Sequence, residues 1–398
     1  DALDGVENGE YTLTVEKEGA INLAAVFAVK PVAIDVPISG VKFGETATLN
    51  GAEVILKSDD NTYTLTVKDG KLTGKVAPAS YRVIVSGYVT KTITVARNSV
   101  PQDISLTYQL FNNTEGEDRW DTSNLGDGYV VNKNGWDLKF KDTYGDFVFK
   151  TNFYKGKDGN DPKMGFWLEV GGTAYTLEVN QWDTGVYVKC YTGMNEGNPD
   201  VWGDTYLAAK WSDKGEWMYD QYIKAYSDSA NYDGLDAVIV RRGGTVSLFF
   251  ETENEEYVYF GSFDVGEGQA SLKLIHKYFE TMPTHTKVDM SIKQSDVGEY
   301  IKGVTLTTGT LTGCTAKIKE TDPRLGEIIT IVLTPTQTAD DNHKVILTNL
   351  TVDGVNVTEK VTNNEYSFRA EKTEYTVSAT FTSTEIADLE VIVKGLKP

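Results

Sequence analysis

Residues that could recognise a ligand are concentrated in one stretch of the sequence. All seven tryptophans lie between Trp120 and Trp217. An indole either fills a core or offers a flat apolar face, with its N–H at the edge, to a ligand such as a sugar ring. A large β-domain needs aromatic bulk, so we expect most of these indoles in the core and only a few in polar loops as ligand platforms.

Two short segments within this stretch combine a tryptophan with hydrogen-bonding side chains. NQWD at 180–183 follows a predicted strand and precedes a turn. DVWGDTY at 200–206 lies in a loop where a tryptophan beside glycine and two carboxylates is hard to bury. Sugar recognition needs this pairing, because aromatic faces take C–H contacts and Asp, Asn and Gln bind hydroxyls. The predicted ligand-binding residues are Gln181, Trp182, Asp183, Trp202, Asp204 and Tyr206.

Catalytic chemistry has fewer candidate residues. The three histidines are far apart in sequence, which leaves little for a nucleophilic triad or a zinc site: His276, His285 and His343. A glycosidase needs only two carboxylates, and FFETENEEYVYF at 249–260 contains four glutamates. They lie between two apolar runs, where a solvated hairpin turn is predicted. We therefore predict a non-catalytic protein and keep a hydrolase using the 251–256 carboxylates as an alternative.

Oxygen-rich loops leave calcium open as a bound ion. KGKDGNDPK at 155–163 and MNEGNPDVWGD at 194–204 are rich in Asp and Asn, but neither matches the twelve-residue EF-hand loop. Ordinary turns are the favoured interpretation, so no cofactor is predicted, with Ca²⁺ as the one exception. Cys190 and Cys314 fall in different predicted modules, so no disulfide is expected.

The charge balance argues against two classes of partner. The chain has 398 residues, a formal net charge of −20 and a pI of about 4.6. An acidic surface repels phosphate backbones and anionic membranes, so neither nucleic-acid binding nor membrane insertion is expected. The chain begins at Asp1 and shows no signal peptide, 18-residue apolar run or anchor motif, so either processing removed such segments or the chain is an excised fragment. We expect a monomeric fragment of a longer array. Abundant Tyr, Phe, Thr and Val predict an all-β chain.

Two segments of the sequence look like copies of each other. Residues 8–36 (NGEYTLTVEKEGAINLAAVFAVKPVAIDV) and 363–391 (NNEYSFRAEKTEYTVSATFTSTEIADLEV) share N-x-E-Y, then E-K, then an alternating strand. Internal repetition predicts a modular array. The predicted modules are 1–36, the end of a preceding β-module; 37–108, a small β-sandwich; 109–294, a large module; and 295–398, a small module with the start of the next repeat.

The two small modules resemble known families. NGAEVILKSDD…KDGKLTGKVAPASYRVIVSGY, within 37–108, resembles the carboxypeptidase regulatory-like (transthyretin-like) domain, and its Asn50-Gly51 and Asp69-Gly70 pairs predict hairpins. EIITIVLTPTQ, KVILTNLTVDGVNVTEKV, NEYSFRAEK and EYTVSATFTS, within 295–398, resemble the internalin B-repeat-like modules of bacterial surface proteins. These resemblances imply small transthyretin-like and Ig-like β-sandwiches that act as spacers.

The large module resembles the laminin-G/concanavalin-A-like jelly roll. The similarity rests on GDFVFKTNF at 145–153 and on DAVIVRRGGTVSLFFETENEEYVYFGSF at 236–263, where three strands form a meander. TKVDMSIK at 286–293 is the candidate closing strand, and SDKGEWMYDQYIKAYSD at 212–228 is interpreted as an insertion with one short helix. The resemblance implies a two-layered body and a carbohydrate-binding role.

Together these features predict an all-β, multi-domain segment of an extracellular, cell-surface or secreted bacterial protein. Its central jelly roll is expected to bind a polysaccharide or a host or plant glycan without catalysis, and repetition along the array would strengthen weak single sites. Two alternatives stay open. One is a structural or adhesin stalk that binds a protein partner, and the other is the hydrolase.

Overall fold

The computed structural model confirms that the chain is all-β and multi-domain. Its described part contains strands β1 to β31, one α-helix (α1, Gln294–Tyr300) and two short 3-10 helices (Ser123–Asp127 and Thr358–Lys360). None of the helices among these residues is long and apolar enough to cross a membrane. The structure describes residues 6–7, 10–11, 29–112, 120–132, 137–153, 163–182, 185–192, 205–210, 235–251, 256–277, 284–340 and 342–386.

The N-terminal module forms one eight-stranded sheet. Its order is β10-β3-β7-β6-β5-β8-β9, with β4 paired to β3, and β10 runs parallel to β3. Alternation places Val54 and Leu56 of β5 opposite Val85 and Val83 of β8 in the core. The strands are β3 (Val32–Lys42), β4 (Glu45–Thr48), β5 (Glu53–Lys57), β6 (Thr62–Lys68), β7 (Lys71–Val76), β8 (Ala79–Val85), β9 (Lys91–Val95) and β10 (Ile104–Thr107).

One of the two predicted hairpins in this module is confirmed and the other is wrong. Asp69 and Gly70 both have positive φ, 50° and 72°, and join the paired strands β6 and β7. Asn50-Gly51 also makes a turn, between β4 and β5, but these two strands do not form a hairpin. β4 pairs with β3, whereas β5 pairs with β6 and β8. The side chain of Asn50 accepts a hydrogen bond from the backbone N–H of Gly70 (2.7 Å), so this turn is held against the neighbouring hairpin.

The central module is a sandwich of two antiparallel sheets. The six-stranded sheet has the order β13-β22-β15-β16-β17-β18, and the five-stranded sheet has the order β21-β20-β19-β14-β24. The first contains β13 (Asp137–Tyr144), β15 (Lys163–Val170), β16 (Thr173–Trp182), β17 (Gly185–Thr192), β18 (Thr205–Lys210) and β22 (Ala270–Lys277). The second contains β14 (Phe147–Phe153), β19 (Leu235–Arg242), β20 (Thr245–Glu251), β21 (Tyr257–Asp264) and β24 (Asp289–Ser291).

Aromatic side chains from both sheets fill the space between them. Phe149 of the five-stranded sheet stacks on Phe166 of the six-stranded sheet with ring centroids 5.5 Å apart, and Phe140 meets both rings edge-on. A three-stranded sheet adjoins the sandwich, with strands β11 (Trp120–Asp121), β12 (Tyr129–Asn132) and β23 (Thr284–Lys287). The predicted closing strand at 286–293 is divided between two sheets, because Thr286 and Lys287 belong to β23 whereas Asp289–Ser291 form β24.

The sandwich has two ends, which we call proximal and distal. At the proximal end β13 ends at Tyr144 and β19 ends at Arg242. At the distal end β16 ends at Trp182 and β20 ends at Glu251. The remaining strand ends are each assigned to the proximal or the distal end by strand pairing, because neighbouring strands are antiparallel and nearly in register.

The N-terminal module is joined to the proximal end by a hydrogen-bonded linker. Tyr108 donates its N–H to Val41 O of β3 (2.9 Å), and two residues later Leu110 O accepts the N–H of Lys141 in β13 (2.9 Å). The ring of Phe43, at the β3–β4 turn, lies 5.9 Å from that of Tyr144. The chain therefore passes from one module to the next as a continuous strand rather than as a free tether.

Asp142 makes this junction sensitive to acid. It accepts hydrogen bonds from Tyr108 (2.8 Å) and Lys42 (3.1 Å). Burial alone would raise the pKa of Asp142, but these two bonds and the Lys42 charge outweigh it and hold the pKa below its ordinary value. A carboxyl with a lowered folded-state pKa stabilises the fold above its ordinary pKa and loses that contribution as the pH falls through the folded-state value.

We therefore expect the wild-type chain to lose its advantage over Asp142→Asn as the pH falls below about 4. The measurement is the thermal midpoint of both chains across an acid titration. At neutral pH the wild type should unfold at the higher temperature, and in acid the two midpoints should converge. A difference that stays constant with pH would show that the charge of Asp142 does not act at the junction.

The C-terminal module has its own two sheets and its own core. The four-stranded sheet contains β25 (Thr305–Thr312), β28 (His343–Val352), β29 (Val355–Asn356) and β31 (Glu374–Glu385). The three-stranded sheet contains β26 (Cys314–Ile318), β27 (Ile328–Pro335) and β30 (Glu365–Arg369). Their core includes Ile329, Ile331, Leu350 and Val377. The predicted boundaries at residues 36, 108 and 294 stay predictions.

The structure supports the internal repeat seen in the sequence. The short strands β1 (Val6–Glu7) and β2 (Glu10–Tyr11) pair with Glu7 opposite Glu10. At the equivalent positions of the second copy Thr362 is bridged to Glu365. The two N-x-E-Y segments therefore begin with the same antiparallel pairing.

The C-terminal module packs on the outer face of the five-stranded sheet. Val148, Val238 and Phe249 of that sheet form an apolar cluster with Val297 of α1 and with Leu325. Ion pairs flank the cluster: Arg242 with Asp322 (2.9 Å) and with Glu327, and Arg369 with Asp264 (2.7 Å). The junction therefore combines apolar burial with paired charges.

Candidate functional site

The structure separates the two halves of the predicted ligand site. Gln181 and Trp182 lie at the distal end of β16, where Trp182 is opposite Gly185 at the start of β17. Tyr206 lies near the proximal end of β18, opposite Tyr191 of β17. Gly185 and Tyr191 are six residues apart on one strand, which is about 20 Å of backbone. One compact platform cannot include both Trp182 and Tyr206.

The other predicted site residues lie outside the described part of the chain. These are Asp183, Trp202 and Asp204, together with the two oxygen-rich loops that left calcium open and the predicted helical insertion at 212–228. The six site residues stay predictions.

The two tryptophans whose side chains the structure describes are both buried, but only Trp120 belongs to the inter-sheet core. The side chains of Trp120 and Trp167 are 5% and 4% exposed. Trp167 points away from the inter-sheet core, and the Nζ of Lys273 lies 4.4 Å from its ring centroid. Neither indole is exposed as a ligand platform.

Turns and longer connections are distributed unequally between the two ends. At the proximal end two-residue turns join β13 to β14, β15 to β16 and β19 to β20. Three connections that leave the distal end are longer, between Phe153 and Lys163, between Lys210 and Leu235, and between Lys277 and Thr284, although two residues also join β16 to β17 there. The β17–β18 connection, between Thr192 and Thr205, is the long one that leaves the proximal end. Long connections on a rigid β-scaffold are where binding residues are usually found.

Most of the described contacts of the neighbouring modules lie toward the proximal end. The N-terminal module contacts Asp142 and Tyr144 at the end of β13. In the C-terminal module, Asp322 pairs with Arg242 and Arg369 pairs with Asp264. The exception is Tyr300 of α1, which packs against Tyr257 near the distal end of the five-stranded sheet.

Sequence reasoning missed a tyrosine pair near the distal end of the five-stranded sheet. Tyr257 begins β21 and Tyr300 ends α1, and both are half-buried. Their ring centroids are 5.8 Å apart in an edge-to-face arrangement, and the ring of Phe249 lies 5.5 Å from that of Tyr300. The alternation of Tyr257 and Tyr259 marked a half-exposed strand, but nothing in the sequence connected β21 to a residue in α1.

β20 and β21 form the hairpin predicted at the glutamate cluster, of which Glu251 and Glu256 are described while Glu253 and Glu255 lie outside the described residues. Glu251 ends β20 opposite Tyr257, which begins β21, and Glu256 is exposed. Burial and the nearby charge of Glu251 raise the pKa of Tyr257. No group of three or more His, Cys, Asp or Glu residues in the described chain is arranged to hold a metal ion. His343, which is exposed, contacts only the nearby Asp340 through its ring Nδ1 (3.0 Å) among the bonds described.

Comparison with known proteins adds little. No family model and no curated protein matches this sequence. A solved structure, the CBM2 module of the evolved Dit protein of Lactobacillus casei BL23 phage J-1, matches with 9% identity, covering 47% of this chain and 83% of that chain, with a TM-score of 0.21. At that TM-score the likeness supports no argument about this chain.

Proposed function

We propose that the central sandwich is a non-catalytic carbohydrate-binding module of the concanavalin-A-like class, and that it binds glycan at its distal end. The observation that carries the proposal is the placement of the neighbouring modules: the linker to the N-terminal module and the ion pairs with the C-terminal module lie on the proximal side, while most of the long connections and Trp182 belong to the distal side, together with Tyr257 and the Tyr300 ring that α1 packs against it. A module held at one end presents the other end to a ligand. This recognition needs no cofactor.

The chain's composition supports an extracellular setting for this module. An acidic, strand-rich chain with an internal repeat is typical of arrays on a cell surface or in a secreted protein. Repeated weak sites along such an array gain avidity from effective concentration rather than from tighter contacts. We therefore place the protein outside the cell, with a polysaccharide as its partner.

The experiment compares the two predicted aromatic positions that the structure separates. We expect Trp182→Ala to weaken binding of the full chain to a soluble polysaccharide by about tenfold, because an aromatic face is lost from the distal end. Tyr206→Ala, at the opposite end of β17, is the matched control and should change the affinity less than about twofold. Affinity gel electrophoresis with a panel of soluble polysaccharides measures both.

Thermal unfolding of each variant establishes that the sandwich is intact. Equal weakening by the two substitutions would contradict a distal site. Weakening by Tyr206→Ala alone would move the site to the proximal end.

The junctions favour a second candidate function, a structural spacer. The strand-like linker at Tyr108–Leu110 and the ion pairs of Arg242 and Arg369 hold the three modules together. A stalk that displays another domain needs such fixed junctions and no ligand site. Failure of every polysaccharide to retard the wild-type chain would favour this function.

A further inference from the structure

We infer that Tyr257, Tyr300 and Asp236 form a subsite for a neutral saccharide at the distal edge of the five-stranded sheet. The inference rests on the proposed function and deepens it, because it names a second group of residues and the charge class of the ligand. The three residues come from β21, α1 and β19, and only the fold brings them together.

The tyrosine pair supplies the apolar surface. The two rings pack edge-to-face on each other, the ring of Tyr300 also contacts that of the buried Phe249, and both tyrosines remain half-exposed. Glu251 lies opposite Tyr257 in the paired strands, and the ring of Tyr300 packs against those of Tyr257 and Phe249. Burial raises the pKa of both phenols, so both are neutral at physiological pH. Rings held in this way lose little freedom when a sugar packs on them.

Asp236 supplies a hydrogen-bond acceptor that the protein does not use. Its Oδ2 accepts a hydrogen bond from the Nζ of Lys287 (2.5 Å), whereas its Oδ1 is buried without a hydrogen-bond partner. Asp236 precedes Ala237, which pairs with Phe250, and the next residue, Glu251, pairs with Tyr257, so Asp236 and Tyr257 lie two strands apart at the same end of the sheet. A buried acceptor without a donor costs about 1–3 kcal/mol, so a ligand hydroxyl that reached it would gain a bond at no loss to the protein.

The surrounding charges favour a neutral ligand over a charged one. Lys287 is paired with Asp236, and Lys150 is paired with Asp289 (3.7 Å). Both cations are already paired with carboxylates, so neither is available to bind an acidic sugar. The carboxylates themselves would repel an acidic sugar. The acceptors instead suit the hydroxyl groups of a neutral polysaccharide.

The test uses the full chain and named probes. Xylan, mixed-linkage β-glucan and galactomannan are the neutral probes, and polygalacturonate is the acidic one. We expect one of the neutral probes to bind, and both Tyr257→Ala and Tyr300→Ala to weaken that binding by about tenfold. Tyr366→Ala is the matched control, because Tyr366 is also half-buried and stacks on an aromatic ring, Phe368, but lies in the C-terminal module.

Asp236→Asn tests the acceptor separately. Asn keeps the size of the side chain and replaces one acceptor oxygen by a donor, so binding should weaken while the tryptophan fluorescence of the folded chain is unchanged. Unchanged binding in Tyr257→Ala and Tyr300→Ala, with binding lost in Trp182→Ala, would overturn the subsite and leave the proposed function standing. Preferential binding of polygalacturonate would overturn the neutral class. Binding of no probe would overturn both the subsite and the proposed function.

Discussion

Replacing Arg241 by alanine is expected to lower the free energy of unfolding of the central sandwich by about 4 kcal/mol. The guanidinium is 1% exposed and bonds only to backbone carbonyls: Tyr144 O (3.2 Å), Gly145 O (2.8 Å) and Gly266 O (3.0 Å). It therefore ties together the β13–β14 and β21–β22 turns at the proximal end. Alanine would leave three carbonyls without a donor and a large void.

The electrostatics of Arg241 are consistent with this structural role. Burial lowers the pKa of Arg241, and the nearby charge of Asp146 partly offsets that effect. The guanidinium keeps its charge because its ordinary pKa is far above neutral. Arg241→Lys keeps the charge but cannot reach three carbonyls from one planar fork, so we expect it to lose part of the stability that alanine loses.

Urea unfolding followed by tryptophan fluorescence measures this effect in one module. All seven tryptophans lie between residues 120 and 217, so the signal reports the central sandwich alone. The midpoint of Arg241→Ala should fall by roughly 2 M urea if the slope is about 2 kcal/mol per M. Lys139→Ala, an exposed cation on β13, is the control and should change stability by less than about 0.5 kcal/mol. Equal midpoints for both variants would refute the role assigned to Arg241.

Replacing Gly326 by alanine is expected to destabilise the junction with the C-terminal module by about 3 kcal/mol. Gly326 has φ +87°, and a Cβ there would lie 2.5 Å from the Oγ atoms of both Ser247 and Ser262. Ser247 is 1% exposed and is hydrogen-bonded to Ser262 (3.2 Å), so neither hydroxyl has free space to move into. Backbone strain and steric overlap therefore add.

Hydrogen exchange on both sides of the contact provides the measurement. Faster amide exchange is expected in peptides that contain Ser247 and in peptides that contain Gly326, because the two modules should separate locally. Gly354→Ala is the matched control: Gly354 has φ +80° in the same module, but a Cβ there meets nothing within 4 Å.

Gly354→Ala should lose only the stability that backbone strain costs, about 1 kcal/mol. Amide hydrogen exchange in peptides that contain Ser247 should be unchanged in this variant. Removing the two hydroxyls in a Gly326→Ala, Ser247→Ala, Ser262→Ala chain should restore part of the lost stability. Indistinguishable behaviour of the Gly326 and Gly354 variants would show that the backbone approach at Gly326 is unimportant.

Several features of the fold followed from local sequence patterns. Alternating apolar residues predicted strands such as β5 and β14, and Asp69-Gly70 predicted the β6–β7 hairpin through its positive-φ residues. The glutamate-rich segment predicted the hairpin at Glu251. Each of these depends on residues close together in the chain, which is why the sequence by itself determined them.

Strand pairing decided the rest. Asn50-Gly51 has the residues of a hairpin, yet β4 and β5 pair with other strands. Trp182 and Tyr206 belong to similar polar segments, yet the intervening β17 places them at opposite ends of the sheet. The distance between them depends on which strands pair, and pairing is set by the packing of the whole sandwich.

Arg241 and Arg242 show, for two neighbouring residues, which properties the local sequence determined and which the tertiary structure decided. The sequence predicted a strand followed by a Gly-Gly turn, and alternation required the two arginines to face opposite sides of the sheet. Only the tertiary structure decided that Arg241 is buried against three carbonyls while Arg242 pairs with Asp322 across the junction. The reason is physical: side-chain alternation is a local property of the backbone, whereas the partner on each face comes from residues distant in the chain.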